Sequence, residues 1–295
     1  MKNICVIGAG TMGNGIAHVF AQFDYQVKLY DLNNDVLEQA LKTVENNLER
    51  QVKKEILSEA DKEKALSNIS VSSQLEDCVK DIDLVVEAAT ENFEVKRKIF
   101  EQLDSLCAPQ TILASNTSSI SITKIAACTQ RPEQIIGMHF MNPVPVMKLV
   151  EVIKGYATSE QVTKSIIELA ESIQKVPLAV QDYPGFISNR VLMPMINEAI
   201  YSLYEGVAGV NEIDKIMELG MAHPMGPLKL ADFIGLDVCL SILKVLYEGF
   251  GNPRYAPCPL LVNMVASGNL GVKTQQGFYD YQKSRKNPQI AAQFA

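Results

Sequence analysis

The stretch that decides the fold is Gly8-Ala9-Gly10-Thr11-Met12-Gly13. It follows the apolar run Ile4–Ile7 and begins a helical pattern. A GxGxxG sequence between a strand and a helix is typical of the first βαβ unit of a dinucleotide-binding sheet. Gly8 is predicted to make the tight turn, Gly10 to let the backbone approach a pyrophosphate, and Gly13 to let the helix pack closely on the strand. The helix N-terminus, with its unpaired N–H groups, would then bind the phosphates.

Asp31 ends the second predicted strand, Gln26–Tyr30, at about the 20-residue spacing that such sites use. Its carboxylate can accept hydrogen bonds from both ribose hydroxyls and would repel a 2′-phosphate, so it favours NAD over NADP. The structural alternative is a glycine-rich turn without a ligand, followed by an aspartate that merely ends a strand.

The composition excludes some classes of partner. The 295 residues are 47% hydrophobic and 21% charged, with a formal net charge of −7, so nucleic acid is not an expected partner. No apolar run is long enough to span a membrane, and no basic and apolar leader precedes the first strand. The six cysteines form no CxxC pair, so we expect reduced thiols in a cytoplasmic protein and no metal site.

The periodicity of the chain predicts an α/β protein with two domains. Strand and helix patterns alternate up to Pro177–Gln181, which predicts a Rossmann-type, mostly parallel sheet with helices on both faces. From Pro184 onward the patterns are helical almost to the end. We therefore predict an NAD-binding domain over residues 1–183 and an all-helical substrate and dimerisation domain over residues 184–295. The apolar helices of the second domain indicate a homodimer.

A third feature is a histidine in an otherwise apolar strand. His139 lies within Ile135–Phe140, and a Pro-Val-Pro turn joins this stretch to a second strand, Lys148–Ile153. A hairpin of this kind would bring Glu151 back beside the imidazole. A carboxylate there orients the ring and stabilises its protonated form, as a general acid/base requires. The alternative is a core histidine whose hydrogen bonds are satisfied without any catalytic role.

Several motifs together resemble the L-3-hydroxyacyl-CoA dehydrogenases. They are the glycine stretch, Ala-Ser-Asn-Thr-Ser-Ser at 114–119, Met-His-Phe-Met-Asn-Pro-Val-Pro-Val-Met-Lys-Leu-Val-Glu-Val at 138–152, Asp-Tyr-Pro-Gly-Phe-Ile-Ser-Asn-Arg at 182–190, His-Pro-Met-Gly-Pro at 223–227 and Gly-Phe-Tyr-Asp-Tyr at 277–281. The likeness covers essentially the whole chain. Its length resembles the stand-alone bacterial 3-hydroxybutyryl-CoA dehydrogenases rather than the fused fatty-acid oxidation proteins.

The resemblance implies reversible hydride transfer between NAD and C3 of a short-chain 3-hydroxyacyl-CoA. It implies that His139 moves the hydroxyl proton and that Glu151 is its partner. Further catalytic and substrate contacts are implied at Ser118 and Asn189. The implied NAD-binding residues are Gly8, Gly10, Thr11, Met12, Gly13, Asp31, Glu91, Lys96, Asn142 and Lys273. Contacts with CoA are implied at Asn47 and Lys54.

The sequence departs from the family pattern at two places. Met141 replaces a more usual phenylalanine, and Val272–Gly277 lacks an extra glycine usual before Gly-Phe-Tyr. Two other functions stay open. One is a β-hydroxyacid dehydrogenase that acts on a free acid. Enzymes of that family usually have a lysine in place of the His–Glu pair, so His139 and Glu151 argue against this alternative. The other is a non-catalytic, crystallin-like NAD-binding protein on the same fold.

Overall fold

The computed structural model describes residues 1–295, which divide into two compact units, Met1–Tyr183 and Pro184–Ala295. The strands of the first unit are β1 (Asn3–Ile7), β2 (Gln26–Tyr30), β3 (Ile69–Ser72), β4 (Leu84–Glu87), β5 (Ile112–Ser115), β6 (Ile135–Phe140), β7 (Leu149–Lys154) and β8 (Val176–Gln181). Its helices are α1 (Thr11–Gln22), α2 (Asn34–Lys53), α3 (Glu59–Ser67), α4 (Leu75–Val79), α5 (Phe93–Leu106), α6 (Ile122–Ala126) and α7 (Glu160–Ser172).

All eight strands form one sheet, in the order β3-β2-β1-β4-β5-β6-β7-β8. Neighbouring strands are parallel except for β6 and β7, which pair antiparallel. The predicted Rossmann-type, mostly parallel sheet is therefore confirmed. The strand order reverses at β1, between β2 and β4. Ligands of such sheets bind at the carboxyl ends of the strands beside this point.

The central strands are apolar because helices cover both faces of the sheet. Every residue of β4 and of β6 is buried. Helix α1 contributes Ile16 and Phe20 to the same core. The close approach of α1 to β1 depends on Gly13, where a Cβ atom would lie only 1.6 Å from the carbonyl oxygen of Gly8. The predicted packing role of Gly13 is therefore met by this contact.

Helix α2 begins at Asn34 because the side chain of Asn33 accepts a hydrogen bond from the backbone N–H of Asp35. Its buried residues, at positions 37, 40, 44 and 48, form a single apolar stripe at helical spacing. The polar segment that follows is a separate helix, α3, which is capped by Ser58. The opposite, polar face of α2 is consequently available to line a binding site.

The second unit is built from helices α8 (Ser188–Tyr204), α9 (Val210–Gly220), α10 (Pro227–Ile234), α11 (Leu236–Phe250) and α12 (Pro259–Ala266). It also contains two short antiparallel strands, β9 (Tyr279–Asp280) and β10 (Gln289–Ile290). The unit is helical as predicted, but it is not entirely so, since strands of two residues are too short to produce an alternating pattern. Across the whole chain, no helix is both long and apolar enough to cross a membrane.

A buried carboxylate anchors the C-terminal segment of the second unit. Asp232 accepts hydrogen bonds from the backbone N–H groups of Phe278 and Tyr279, both at 3.0 Å, and from the hydroxyl of Tyr281 at 3.1 Å. Burial raises the pKa of Asp232 to about 7, although these bonds oppose the shift. Gly277 lies so close that a Cβ atom would be 1.9 Å from the carboxylate. This contact explains the Gly-Phe-Tyr-Asp-Tyr motif in structural terms.

One histidine is fully buried in the first unit. His18 lies on α1, and its Nε2 is 3.1 Å from both the Gln22 Oε1 and the Gln51 Nε2 atoms. Burial lowers the pKa of His18 to about 4. The ring is therefore neutral at pH 7 and remains neutral in the folded protein through mild acid.

This burial predicts a loss of stability in acid. The unfolded chain binds a proton at His18 near pH 6.5, whereas the folded chain binds it only near pH 4, so stability falls as the pH decreases between these values. Between pH 7 and pH 5, His18 is expected to lower the free energy of unfolding by about 2 kcal/mol. Urea unfolding of wild type and His18→Gln at both values should show a smaller pH difference in the variant. His223→Gln is the control, and equal differences for all three proteins would contradict the prediction.

Candidate active site

The centre of the candidate active site is the hairpin formed by β6 and β7. His139 and Glu151 are directly opposite each other in its antiparallel register. Side chains at opposed positions point to the same face of a sheet. The His139 Nδ1 atom accordingly lies 2.9 Å from the Glu151 Oε2 atom, and both residues are buried. The carboxylate that was expected to return beside the imidazole does so.

This contact orients the imidazole. A carboxylate at Nδ1 favours the tautomer with a proton on that nitrogen and fixes the plane of the ring. Both side chains are largely shielded from water, with exposed fractions of 8% for His139 and 3% for Glu151. Their interaction is screened less than a surface pair would be. A protein can use such a pair for general acid/base chemistry, with Nε2 as the atom that exchanges the proton.

The strand that carries His139 is braced by a residue that the sequence did not reveal. Parallel pairing between β5 and β6 extends to Ser115 opposite Gly137. Beyond it, the side chain of Asn116 takes over and accepts a hydrogen bond of 2.8 Å from the backbone N–H of Phe140. Asn116 thus continues the ladder by one further bond, immediately after His139.

Ser118 lies on the loop that follows β5, and several groups of this loop donate hydrogen bonds to Glu91. The Glu91 Oε1 atom accepts hydrogen bonds from the backbone N–H groups of Ser118 and Ser119, each at 3.0 Å, and from the Thr117 hydroxyl at 2.7 Å. Burial opposes ionisation, but the positive charge of Lys96 and these hydrogen bonds hold the pKa of Glu91 below its ordinary value. An ionised Glu91 therefore holds the Ser118 loop in place.

A buried ion pair lies beneath this loop. The ammonium of Lys96 is 2.7 Å and 2.9 Å from the two carboxylate oxygens of Glu87, and it lies 3.6 Å from Glu91. Glu87 also accepts a hydrogen bond of 2.6 Å from the Ser115 hydroxyl. Lys96 is only 1% exposed. Lys96, which the family resemblance places near NAD, is thus held by Glu87 beneath the Ser118 loop. Glu87 was not among the predicted site residues, although an acid at the end of an otherwise apolar strand can indicate a functional site.

The glycine turn has the backbone that a dinucleotide requires. Gly8 adopts a φ of +94°, and a Cβ atom there would lie 2.8 Å from the carbonyl oxygen of Ala88. At Gly10, by contrast, an added Cβ would meet nothing within 4 Å, so the backbone is open to a ligand on that side. Asp31 closes the turn by accepting hydrogen bonds from the backbone N–H groups of Ala9, at 2.9 Å, and Asn33, at 3.1 Å. These features fit the pyrophosphate and ribose of a dinucleotide.

Two cavities meet at this turn, each of a size that holds a small ligand. One, of about 590 Å³, is lined by Gly8, Asp31 and apolar side chains that include Val95 and Ile99. The other, of about 530 Å³, has walls from Gly10 and Thr11, from the polar face of α2, and from the loop that follows β6. The predicted residues Asn47 and Asn142 both line this second cavity.

The other predicted site residues have different surroundings. Met12 packs against the core, and Lys54 is exposed at the end of α2. Asn189 and Lys273 belong to the second unit. Asn189 is buried near the start of α8, and the Lys273 ammonium makes a 2.6 Å bond to Asp237. The loop that departs from the family pattern forms a single 3₁₀ turn, Val272–Thr274.

The fold and the glycine turn define a dinucleotide-binding protein, and comparison with known proteins gives the family. Residues 3–183 match the 3-hydroxyacyl-CoA dehydrogenase NAD binding domain, and residues 185–281 match the C-terminal domain of the same family. The chain belongs to the 3-hydroxyacyl-CoA dehydrogenase family, whose members use NAD.

Individual relatives cover nearly the whole chain. It is 54% identical over 288 residues to a 3-hydroxybutyryl-CoA dehydrogenase of Bradyrhizobium diazoefficiens, which covers 98% of both chains. It is 49% identical over 280 residues to one of Clostridioides difficile, which covers 95% of this chain and 99% of that one. The crystal structure of (S)-3-hydroxybutyryl-CoA dehydrogenase from Ralstonia eutropha is similar with a TM-score of 0.94 at 48% identity, covering 96% and 99% of the two chains.

The bonds of Asp31 predict the effect of removing its charge. Asp31→Asn keeps the shape of the side chain but removes the negative charge that is expected to accept hydrogen bonds from the ribose hydroxyls, so KM for NADH should rise about 10-fold. The preference for NADH over NADPH should also decrease, because the repulsion of a 2′-phosphate is lost. Steady-state kinetics with both cofactors measures this, with the exposed Asp24→Asn as control. Unchanged cofactor preference would contradict the assignment.

Proposed function

We propose that this protein catalyses reversible hydride transfer between NAD(H) and C3 of a short-chain 3-hydroxyacyl-CoA, with 3-hydroxybutyryl-CoA and acetoacetyl-CoA as its substrate pair. The contact of 2.9 Å between His139 and Glu151 is the observation that carries this proposal. Relatives of nearly the same length that are named for 3-hydroxybutyryl-CoA support the choice of a short acyl chain.

His139 acts as the general acid/base. NAD, when bound, supplies the hydride chemistry, so the protein has to hold the substrate and handle one proton. During oxidation, the Nε2 atom of His139 accepts the proton of the substrate hydroxyl; during reduction it returns that proton to the 3-oxygen. Glu151 keeps the ring in the orientation that this transfer needs. Ser118 contributes a polar contact to the substrate oxygen or thioester.

The cofactor and the CoA moiety occupy the two cavities at the glycine turn. The cavity with Asp31 holds the adenosine half of NAD, since its apolar walls suit a purine and its carboxylate suits a ribose. The pyrophosphate lies at Gly10, Thr11 and the N-terminus of α1. Glu91, whose charge is balanced by Lys96, completes the cofactor surroundings within the first unit. CoA lies along the polar face of α2, where Asn47 and Lys54 are its contacts.

The test begins with substrate. Wild-type protein with NADH should reduce acetoacetyl-CoA and leave free acetoacetate essentially unreacted, as measured by NADH absorbance. Turnover of the free acid alone would favour a β-hydroxyacid dehydrogenase. NADH binding without turnover of either compound would favour a non-catalytic protein on this fold.

The catalytic pair predicts a graded loss of rate. His139→Gln should reduce kcat about 10²- to 10⁴-fold, since it removes the acid/base altogether. Glu151→Gln should reduce kcat by a smaller factor, because the imidazole stays but loses the charge that orients it. NADH affinity, measured by fluorescence, should stay near the wild-type value in both variants, and His223→Gln is the control. Wild-type kcat in His139→Gln would remove this histidine from the mechanism.

We also propose that the protein is a cytoplasmic homodimer that pairs through its second unit. Exposed apolar side chains concentrate on and around α8 and α9, where the exposed fractions are 66% for Val191, 59% for Ile216 and 83% for Leu219. A second copy of the same surface would bury them. All six cysteines are free thiols, as suits a reducing compartment.

A charge on this surface should separate the copies. Leu219→Glu is expected to shift the sedimentation coefficient from that of a dimer to that of a monomer at micromolar concentration, because burying an unpaired carboxylate opposes association. Lys164→Glu, on an exposed face of the first unit, serves as the matched control. A dimer that persists in Leu219→Glu would locate the interface elsewhere.

A further inference from the structure

A buried lysine lies behind the loop that follows the catalytic strand. Lys175 is found between α7 and β8 and is only 8% exposed. Its ammonium donates hydrogen bonds to two main-chain carbonyls, Val144 O at 2.6 Å and Met147 O at 2.8 Å. Lysine rarely occupies so buried a position without a carboxylate partner. Burial accordingly lowers the pKa of Lys175. The carbonyls of Val144 and Met147 take the place of a carboxylate as the partners of this ammonium.

Both carbonyls belong to the segment that joins His139 to Glu151. Within it, the backbone N–H groups of Val146 and Met147 both bond to the carbonyl of Pro143, at 3.0 Å. The ammonium of Lys175 bridges two further carbonyls of this turn, those of Val144 and Met147. The turn is also tied to β8, since Val176 N–H bonds to Lys148 O at 2.8 Å. Lys175 thus supplies two of the hydrogen bonds that hold the turn.

The turn forms one wall of the cavity of about 530 Å³. Its residues Asn142, Pro143, Val144 and Pro145 line that cavity, opposite the polar face of α2. Val144 is 1% exposed and packs against α1 so tightly that a Cβ atom on Gly15 would lie 3.0 Å from its Cβ. The Val144 side chain is held by apolar packing against α1, and the Lys175 ammonium holds the carbonyls of Val144 and Met147. A shift of the turn would move Asn142 and the cavity wall together.

We propose that Lys175 is a positioning residue of the active site: its buried ammonium holds the Asn142–Met147 turn in the shape that the acyl-CoA substrate requires. Lys175 touches neither substrate nor cofactor and acts through the carbonyls of Val144 and Met147. This inference rests on the proposed function for its kinetic consequence, whereas its structural consequence, a turn that loosens without the ammonium, stands independently.

The neutral state of the neighbouring residue His18 is consistent with this role. The positive charge of Lys175 is one of the causes, after burial, that keep the pKa of His18 near 4. His18 is therefore neutral at pH 7 and does not repel the ammonium. The interior at this place holds a single positive charge, which is directed at the turn.

The first experiment measures the turn without substrate. A nitroxide is attached at Val146→Cys, an exposed position on the turn, in a Cys128→Ser background because Cys128 is the one cysteine that is not buried. A reference label at Tyr156→Cys, which is 95% exposed, lies after β7. Lys175→Met should increase the mobility of the label at position 146 and leave that at position 156 unchanged. Equal spectra at position 146 with and without Lys175 would overturn the proposal.

The second experiment measures kinetics. Lys175→Met should raise KM for acetoacetyl-CoA and lower kcat/KM by about 10- to 100-fold, as expected for a misplaced binding wall. NADH affinity, to which Asn142 is expected to contribute, should change by a smaller factor than KM for acetoacetyl-CoA, because the adenosine cavity lined by Gly8 and Asp31 contains no residue of the turn. Lys164→Met, an exposed lysine on α7, is the matched control. Loss of folded protein lowers the amount of active enzyme but does not change KM, so unchanged KM would assign Lys175 to stability alone.

Two further variants keep the test decisive. If Lys175→Met does not fold, the same measurements are made on Lys175→Arg and Lys175→Gln, because both of these side chains retain hydrogen-bond donors. Across the folded variants, label mobility at position 146 and KM should rise together. A folded variant with a mobile turn and a wild-type KM would overturn the proposal. If wild type itself does not reduce acetoacetyl-CoA, the proposed function fails, while the label still decides whether Lys175 holds the turn.

Discussion

The antiparallel pairing of β6 with β7 is the constraint on which the candidate site depends. In a sheet that is otherwise parallel, the one reversal places His139 directly opposite Glu151, on the same face and 2.9 Å apart. A parallel connection would need a long crossover and would separate the two side chains. The short turn between these strands therefore creates the pair, and at the same time supplies a wall of the neighbouring cavity.

Around this hairpin, the site is held by polar groups that are removed from water. Glu87 and Lys96 form a buried ion pair, and Glu91 gathers the backbone of the Ser118 loop. Breaking such a pair on one side typically costs about 3–5 kcal/mol, because the other charge is left unpaired. A network of this kind contributes a defined geometry more than it contributes stability. Its effect is to give the loops around the carboxyl ends of the strands a single arrangement.

The apolar pattern allowed much of this architecture to be predicted. Strand and helix periods identified the sheet, and the glycine stretch located the turn with Asp31. The hairpin was predictable because two apolar runs flank a turn rich in proline. Helix α10 begins among glycine and proline residues that are typical of loops, although Pro227 at its first turn is compatible with a helix. The strands β9 and β10 were too short for any period to appear.

By itself, the sequence determined the class of fold and the dinucleotide turn, and it predicted the contact between His139 and Glu151, since each of these is encoded by residues close together in the chain or by a regular period. The tertiary structure decided which polar side chains support them. Asn116 reaches the backbone of Phe140, and Lys175 reaches the turn some thirty residues before it, through contacts between elements that no local pattern encodes. The reason is physical: burial and hydrogen-bond partners of a polar side chain are set by the packing of distant segments, and they exist only once the chain is folded.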